Sequence, residues 1–174
     1  MKRRAFTLVE LLIVIGAILI LSAAAVSGAR KVIRSLTFGD NFNKLVFMVQ
    51  RARNTAISGK DTNIAIYGVR INPQAGTATY FTKNIGGVTE DQTDPPVIRL
   101  RAEDNFSFTA VAGLACTEAR IEFVNGKAET RLACEGAGEA NKNPDLLTVN
   151  VHDARENTKR TFSIHKAAGV PQVE

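Results

Sequence analysis

Residues 6–26 read FTLVELLIVIGAILILSAAAV, an apolar run of 21 residues in which Glu10 is the only charged side chain. At a helical rise of about 1.5 Å per residue, the run spans roughly 30 Å, which is the thickness of the hydrocarbon core of a bilayer. It therefore predicts one membrane-spanning helix. The basic residues 2–4 precede it, so the segment also fits a secretory signal peptide with a cleavage site at residues 23–25.

Glu10 separates these two interpretations. An ionised side chain inside an apolar run is costly in a membrane, and a signal peptide gains nothing from it. The carboxylate is therefore expected to have a partner, which makes it a candidate functional residue. This argues against an ordinary cleaved signal.

The segment Arg4-Ala5-Phe6-Thr7-Leu8-Val9-Glu10 follows a basic leader and opens the apolar run. In this order it resembles the class III signal of type IV pilins and type II secretion pseudopilins. The resemblance implies that a prepilin peptidase cleaves after Ala5 on the cytoplasmic side and methylates the new amine of Phe6. It also makes Glu10 the assembly glutamate. The sequence departs from the family at Ala5, where glycine is usual, and this implies slower processing.

Cleavage would free a positive amine at Phe6, one helical turn from Glu10. In apolar surroundings the two charges need each other. Within one chain the pair would neutralise the start of the helix, and between chains it would set the axial register of a subunit in a filament. The family resemblance implies the pairing between chains.

The charge distribution limits the classes of function. The chain of 174 residues has a formal net charge of +5, but residues 2–4 carry three of these charges, so the remainder lacks the charge excess of a nucleic-acid-binding domain. Basic side chains flank both ends of the apolar run, with Arg30, Lys31 and Arg34 on the far side, so charge alone does not orient it. The leader resemblance implies a cytoplasmic N-terminus in the inner membrane and a periplasmic or extracytoplasmic head.

Helical periodicity continues beyond the apolar run, and the apolar stripe Phe38, Phe42, Leu45, Val46, Val49, Ala52 and Ala56 is expected to dock on the head. Gly59 is the predicted stop of a helix over 7–58. After it the pattern alternates, which predicts an α+β fold with a long N-terminal helix packed on an antiparallel sheet. The predicted strands are 63–71, 77–82, 97–101, 106–111, 120–124, 128–134, 146–151 and 160–165, with loops at 83–96 and 135–145.

A second resemblance covers the head. Residues 45–66 read LVFMVQRARNTAISGKDTNIAI, which is similar to the GspH/FimT-type minor pseudopilins and minor pilins, with Ala52-Arg53, Ala56 and Gly59 carrying the match. The predicted organisation is a leader over 1–5, a transmembrane or filament-core helix over 6–29, an amphipathic helix over 30–58 and a β-rich head over 59–174.

Cys116 and Cys134 are predicted to form a disulfide if the head is exported, the alternative being two free core thiols. His152 and His165 are interpreted as ordinary strand residues rather than metal ligands. The acidic residues Glu90, Asp91 and Asp94 lack the spacing of an EF-hand, so a solvated loop is expected there instead of a calcium site. No catalytic motif is present in the sequence, which predicts neither enzymatic activity nor a cofactor.

The predicted function is that of a minor pilin or pseudopilin that helps initiate or cap a type IV pilus or a type II secretion pseudopilus. Its expected partners are other pilins, the prepilin peptidase and the inner membrane. Two alternatives stay open: a DNA-binding minor pilin and an unrelated membrane-anchored β-domain. DNA binding is disfavoured because the tail after Gly169 contains no arginine, whereas FimT-like DNA-uptake pilins carry a basic tail. Arg155, Lys159, Arg160 and Lys166 are interrupted by acidic residues.

Overall fold

A computed structural model describes residues 7–92, 97–99, 106–112, 114–127, 129–136 and 143–174. Within these residues the fold is α+β, with one long helix followed by antiparallel strands. The elements are α1 (Leu8–Ser58), β1 (Ile64–Asn72), β2 (Thr77–Asn84), β3 (Thr89–Asp91), β4 (Ile98–Arg99), β5 (Phe106–Ala112), β6 (Leu114–Ala115), β7 (Glu118–Val124), β8 (Thr130–Glu135), β9 (Leu146–Asp153), β10 (Thr158–His165) and β11 (Pro171–Val173).

The chain divides into two compact units, Met1–Gly39 and Asp40–Glu174. We call them the N-terminal unit and the C-terminal unit. The helix α1 contributes residues to both, and all of the strands listed above belong to the C-terminal unit.

The predicted end of the helix is confirmed. Gly59 adopts a φ of 60°, the left-handed conformation that glycine reaches without strain, and its N–H donates to the carbonyl of Ala56 at 3.2 Å. The helix therefore stops at Ser58, and the chain turns into β1.

Within the C-terminal unit, one face of α1 is buried, as the apolar stripe predicts. Phe42 packs edge-on against Phe162 of β10, with ring centroids 6.2 Å apart. Nearer the helix end, the Ala56 carbonyl accepts a hydrogen bond at 2.8 Å from the Gly126 N–H in the turn after β7. The helix thus contacts both sheets of this unit. In this unit the buried helix residues are Phe42, Leu45, Met48, Val49, Ala52 and Ala56. Met48 was not in the predicted stripe, and Val46, which was, is only half-buried.

The strands form two antiparallel sheets. Sheet A has the order β3-β2-β1-β7-β8, with β4 paired to the other end of β2, and sheet B has the order β11-β10-β9-β5-β6. In β7 the burial alternates strictly, with Ala119, Ile121 and Phe123 buried, because alternate side chains point to one face of a sheet. Those side chains and their partners from α1 make the core.

Each of the eight predicted strands has a counterpart, but three short strands were missed. The predicted loop over 83–96 is wrong in part, because its start belongs to β2 and residues Thr89–Asp91 form β3. The C-terminal tail also forms a strand, β11. The missed strands β3, β6 and β11 have two or three residues each, which is too few to show an alternating pattern, and backbone pairing with β2, β5 and β10 fixes their conformation. Residues 100–101 and 128 of the predicted strands lie outside the described residues, as does most of the predicted loop over 135–145.

The outward face of sheet A carries a buried aromatic ring. Phe81 is only 2% exposed because Gly68, its cross-strand partner, leaves the space that a side chain would fill. A Cβ at Gly68 would lie 2.5 Å from the Phe81 ring and 2.8 Å from the Ile121 carbonyl oxygen. The Arg70 guanidinium lies 5.3 Å from the centroid of the same ring. The glycine thus allows β1 and its neighbours to hold the ring against the sheet.

Candidate functional site

The first turn of α1 is closed by a reciprocal pair of side chains. The Glu10 carboxylate accepts hydrogen bonds from the Thr7 backbone N–H and hydroxyl, both at 2.9 Å. The Glu10 N–H in turn donates to the Thr7 hydroxyl oxygen at 3.2 Å. This arrangement is a capping box, in which the residue before the helix and the third helical residue satisfy each other's free N–H groups.

The capping box gives Glu10 a role that the sequence interpretation missed. Its signal, a threonine followed three residues later by glutamate before an apolar run, was present in the sequence. The Thr7 N–H belongs to the peptide bond with Phe6, so cleavage after Ala5 would leave the box intact. Glu10 can therefore be held in a defined position before it meets any charged partner.

Ala5 and Phe6, the predicted cleavage and methylation residues, lie outside the described residues. The N-terminal unit after them presents large apolar side chains to its surroundings. Leu8 is 75% exposed, and Ile20 and Leu21 are 73% and 70% exposed. Exposed apolar side chains in such number indicate a surface that packs against a membrane or another protein.

The membrane span predicted over 6–26 is not confirmed. Among the described residues, no helix combines the length and the apolar character that crossing a membrane requires. The span stays a prediction.

The predicted disulfide is present and lies where the chain crosses from sheet B to sheet A. Cys116 follows β6, an edge strand of sheet B, and Cys134 lies in β8, an edge strand of sheet A. The two Cα atoms are 5.2 Å apart, and both residues are buried. The bond therefore fixes the crossing from sheet B to sheet A against β8, where the Thr117 N–H also donates to the Glu135 carbonyl at 2.8 Å.

The histidines are far apart in the fold. His152 of β9 lies opposite Lys159, near the start of β10, whereas His165 lies at the other end of β10. At the rise of a β-strand, the two histidines are roughly 20 Å apart. Glu90 and Asp91 belong to β3, and Asp94 lies outside the described residues. In the part of the chain that the structure describes, no three His, Cys, Asp or Glu side chains are grouped so that they could hold a metal ion.

The basic residues near the C-terminus do not gather on the tail. Lys159 and Arg160 are exposed on β10, Arg155 lies in the preceding turn and Lys166 in the following one. The tail itself pairs with β10, with Ser163 opposite Gln172. The C-terminal residues thus complete sheet B.

The comparisons with known proteins support the interpretation of the N-terminus. Residues 1–26 match the family described as the prokaryotic N-terminal methylation motif. No curated protein and no solved structure matches the chain. The match supports a type IV pilin-like protein with a class III signal, and this class implies pilin-type processing and assembly with other pilins. The closer resemblance to GspH/FimT-type proteins stays a prediction.

Proposed function

We propose that the protein is a minor pilin or pseudopilin that helps initiate or cap a type IV pilus or a type II secretion pseudopilus. The observation that carries the proposal is the N-terminal methylation motif over residues 1–26. In this role the prepilin peptidase removes residues 1–5 and methylates Phe6. The proposal assigns the chain no catalytic activity and no cofactor.

The exposed apolar helix supports the same role. Before assembly the inner membrane would accommodate these side chains, and in a filament the helices of neighbouring pilins would cover them. Capture in the membrane would leave the C-terminal unit outside the cytoplasm. The Cys116–Cys134 bond fits that location because disulfides persist in oxidising compartments.

The capping box supports a defined place for Glu10 in this assembly. Thr7 holds the carboxylate beside the helix start, where it remains able to accept a further hydrogen bond. We propose that this second partner is the methylated amine of Phe6 on a neighbouring chain. The pairing would fix the axial register between two helices.

DNA binding is the weaker alternative. Residues 40–174 contain 16 Lys and Arg against 16 Asp and Glu, so the C-terminal unit has no net charge to attract a polyanion. The tail is short of basic residues and is engaged as β11. The structural role is therefore preferred.

Photo-cross-linking in membranes of cells that make the complete machinery tests this proposal. A photoreactive residue at Leu12, which is 61% exposed, is expected to yield adducts with other proteins that carry a class III signal. The same residue at Lys60, an exposed polar position beyond the helix, measures background capture. The identity of the adducts separates a pilus from a secretion system. Recovery of only unrelated proteins at Leu12 would contradict the proposal.

A further inference from the structure

A narrow cleft of about 80 Å³ opens where three segments of the C-terminal unit meet. The last turns of α1 supply Arg53 and Ile57, and the β7–β8 hairpin supplies Lys127 and Thr130. The turn between β10 and β11 closes the third side with Ala167 and Ala168. The cleft therefore has two cations at its wall and an apolar lining between them.

Arg53 is the feature of the cleft that needs explanation. Its side chain is half-buried, yet among the described residues it has neither a hydrogen bond nor an ion pair. A guanidinium carries five N–H donors, and buried polar groups are nearly always paired. Arg53 also belongs to the residues that carry the resemblance to GspH/FimT-type proteins. The proposed assembly through the N-terminal helix does not involve this side chain.

The neighbours of Arg53 keep space open beside it. Thr130 is 4% exposed, and its hydroxyl likewise has no hydrogen-bond partner among the described residues. A Cβ at Gly169 would lie 2.3 Å from the Thr130 hydroxyl oxygen and 3.7 Å from Arg53 Nε. With a φ of 61°, Gly169 is in a conformation that side chains rarely adopt. This glycine therefore leaves room beside two donors that have no hydrogen-bond partner among the described residues.

The surroundings of the cleft are positive. Glu129, two residues from Lys127, has its pKa held below the usual value, first by a hydrogen bond from Arg131 and then by the charges of Arg131, Lys127 and Lys166. Glu129 is exposed and paired with Arg131 at 2.7 Å, so it does not neutralise Arg53. An incoming anion thus meets a local positive field on a unit that is neutral as a whole.

We infer that this cleft binds a single carboxylate group that a partner protein presents, with Arg53 and the Thr130 hydroxyl as its donors. Arginine suits a planar carboxylate because its fork of N–H groups can donate two parallel hydrogen bonds. The small volume admits one such group. A nucleic acid would instead need an extended basic groove and stacking side chains along its backbone. This inference goes beyond the proposed function and rests on the cleft alone.

The test is an NMR titration of the ¹⁵N-labelled complete chain in a neutral detergent, observed at the arginine Nε–Hε resonances. Sodium acetate, with sodium chloride holding the ionic strength constant, is expected to shift the Arg53 resonance saturably. Arg53→Gln removes that resonance and its response. Thr130→Val, which keeps the side-chain volume, is expected to weaken acetate binding several-fold. Arg155→Gln, at an exposed position outside the cleft, is the matched control and leaves the shift unchanged.

Two probes then distinguish the partners. A hexaglutamate peptide is expected to shift Arg53 at lower concentration than a single-stranded oligothymidylate with six phosphates. The absence of a saturable shift with acetate would overturn the inference. This titration uses the wild-type chain, so its result does not depend on whether a variant folds. Tighter binding of the oligothymidylate at Arg53 would also overturn it, because the cleft would then be part of a nucleic-acid interface.

Discussion

Glu10→Ala is expected to leave the chain in the membrane fraction but to lower its cross-linked recovery with pilin-like partners by about tenfold or more. Removing the carboxylate makes the N-terminal segment more apolar, so insertion becomes easier. If Glu10 pairs with a methylated Phe6 amine, as we propose, the substitution leaves that ammonium unpaired in apolar surroundings, which is costly. Membrane level and cross-linked recovery are measured on the same samples.

The capping box supplies the controls for this experiment. Glu10→Gln keeps a side-chain oxygen that can cap the helix but removes the charge. Thr7→Ala removes the capping hydroxyl but keeps the Glu10 carboxylate. If Glu10 acts through its charge, Glu10→Gln fails like Glu10→Ala, whereas Thr7→Ala assembles. Normal assembly of Glu10→Gln together with failure of Thr7→Ala would mean that Glu10 serves only the helix start.

Loss of the Cys116–Cys134 disulfide is expected to lower the free energy of unfolding of the C-terminal unit by about 3 kcal/mol. The two cysteines are 18 residues apart, and the bond mainly restricts the unfolded chain. It also fixes the segment between β6 and β7 to β8, next to the hydrogen bond from the Thr117 N–H to the Glu135 carbonyl. The double variant Cys116→Ala/Cys134→Ala should therefore unfold at lower denaturant concentration than the oxidised protein.

Tyrosine provides the signal for this measurement. The chain has no tryptophan, and its two tyrosines, Tyr67 and Tyr80, are both buried in sheet A. Their fluorescence therefore reports the C-terminal unit even in the complete chain in detergent. A reductant should destabilise the wild type and leave the double variant unchanged. Equal stability of the oxidised wild type and the variant would show that the bond contributes nothing.

The long helix and the main strands could be predicted because local signals agreed with tertiary packing. The apolar stripe from Phe42 to Ala56 has helical spacing, and Gly59 has the conformational freedom to end the helix. The alternating pattern of β7 places one face in the core. A sequence pattern predicts structure well where the local conformational preference and the tertiary packing favour the same conformation.

Other features could not be predicted because they depend on partners distant in sequence. Asn125 and Gly126 follow β7, and the Gly126 N–H donates to the Ala56 carbonyl at the end of α1, 70 residues earlier in the chain. Strand β11 exists through its pairing with β10. The cleft at Arg53 combines three segments that are far apart along the chain. Only the fold brings these groups together.

The intact mass of the chain made together with a prepilin peptidase shows directly whether the N-terminus is processed as in a pilin. We expect a mass lower by residues 1–5 and higher by one methyl group, with N-methylated Phe6 as the first residue. An Ala5→Gly variant, which restores the residue usual in the family, should be cut at the same bond and faster. A mature chain that begins between residues 22 and 26 would rule out a pilin-type protein, because an ordinary signal peptidase would then have removed Glu10 and the whole assembly segment.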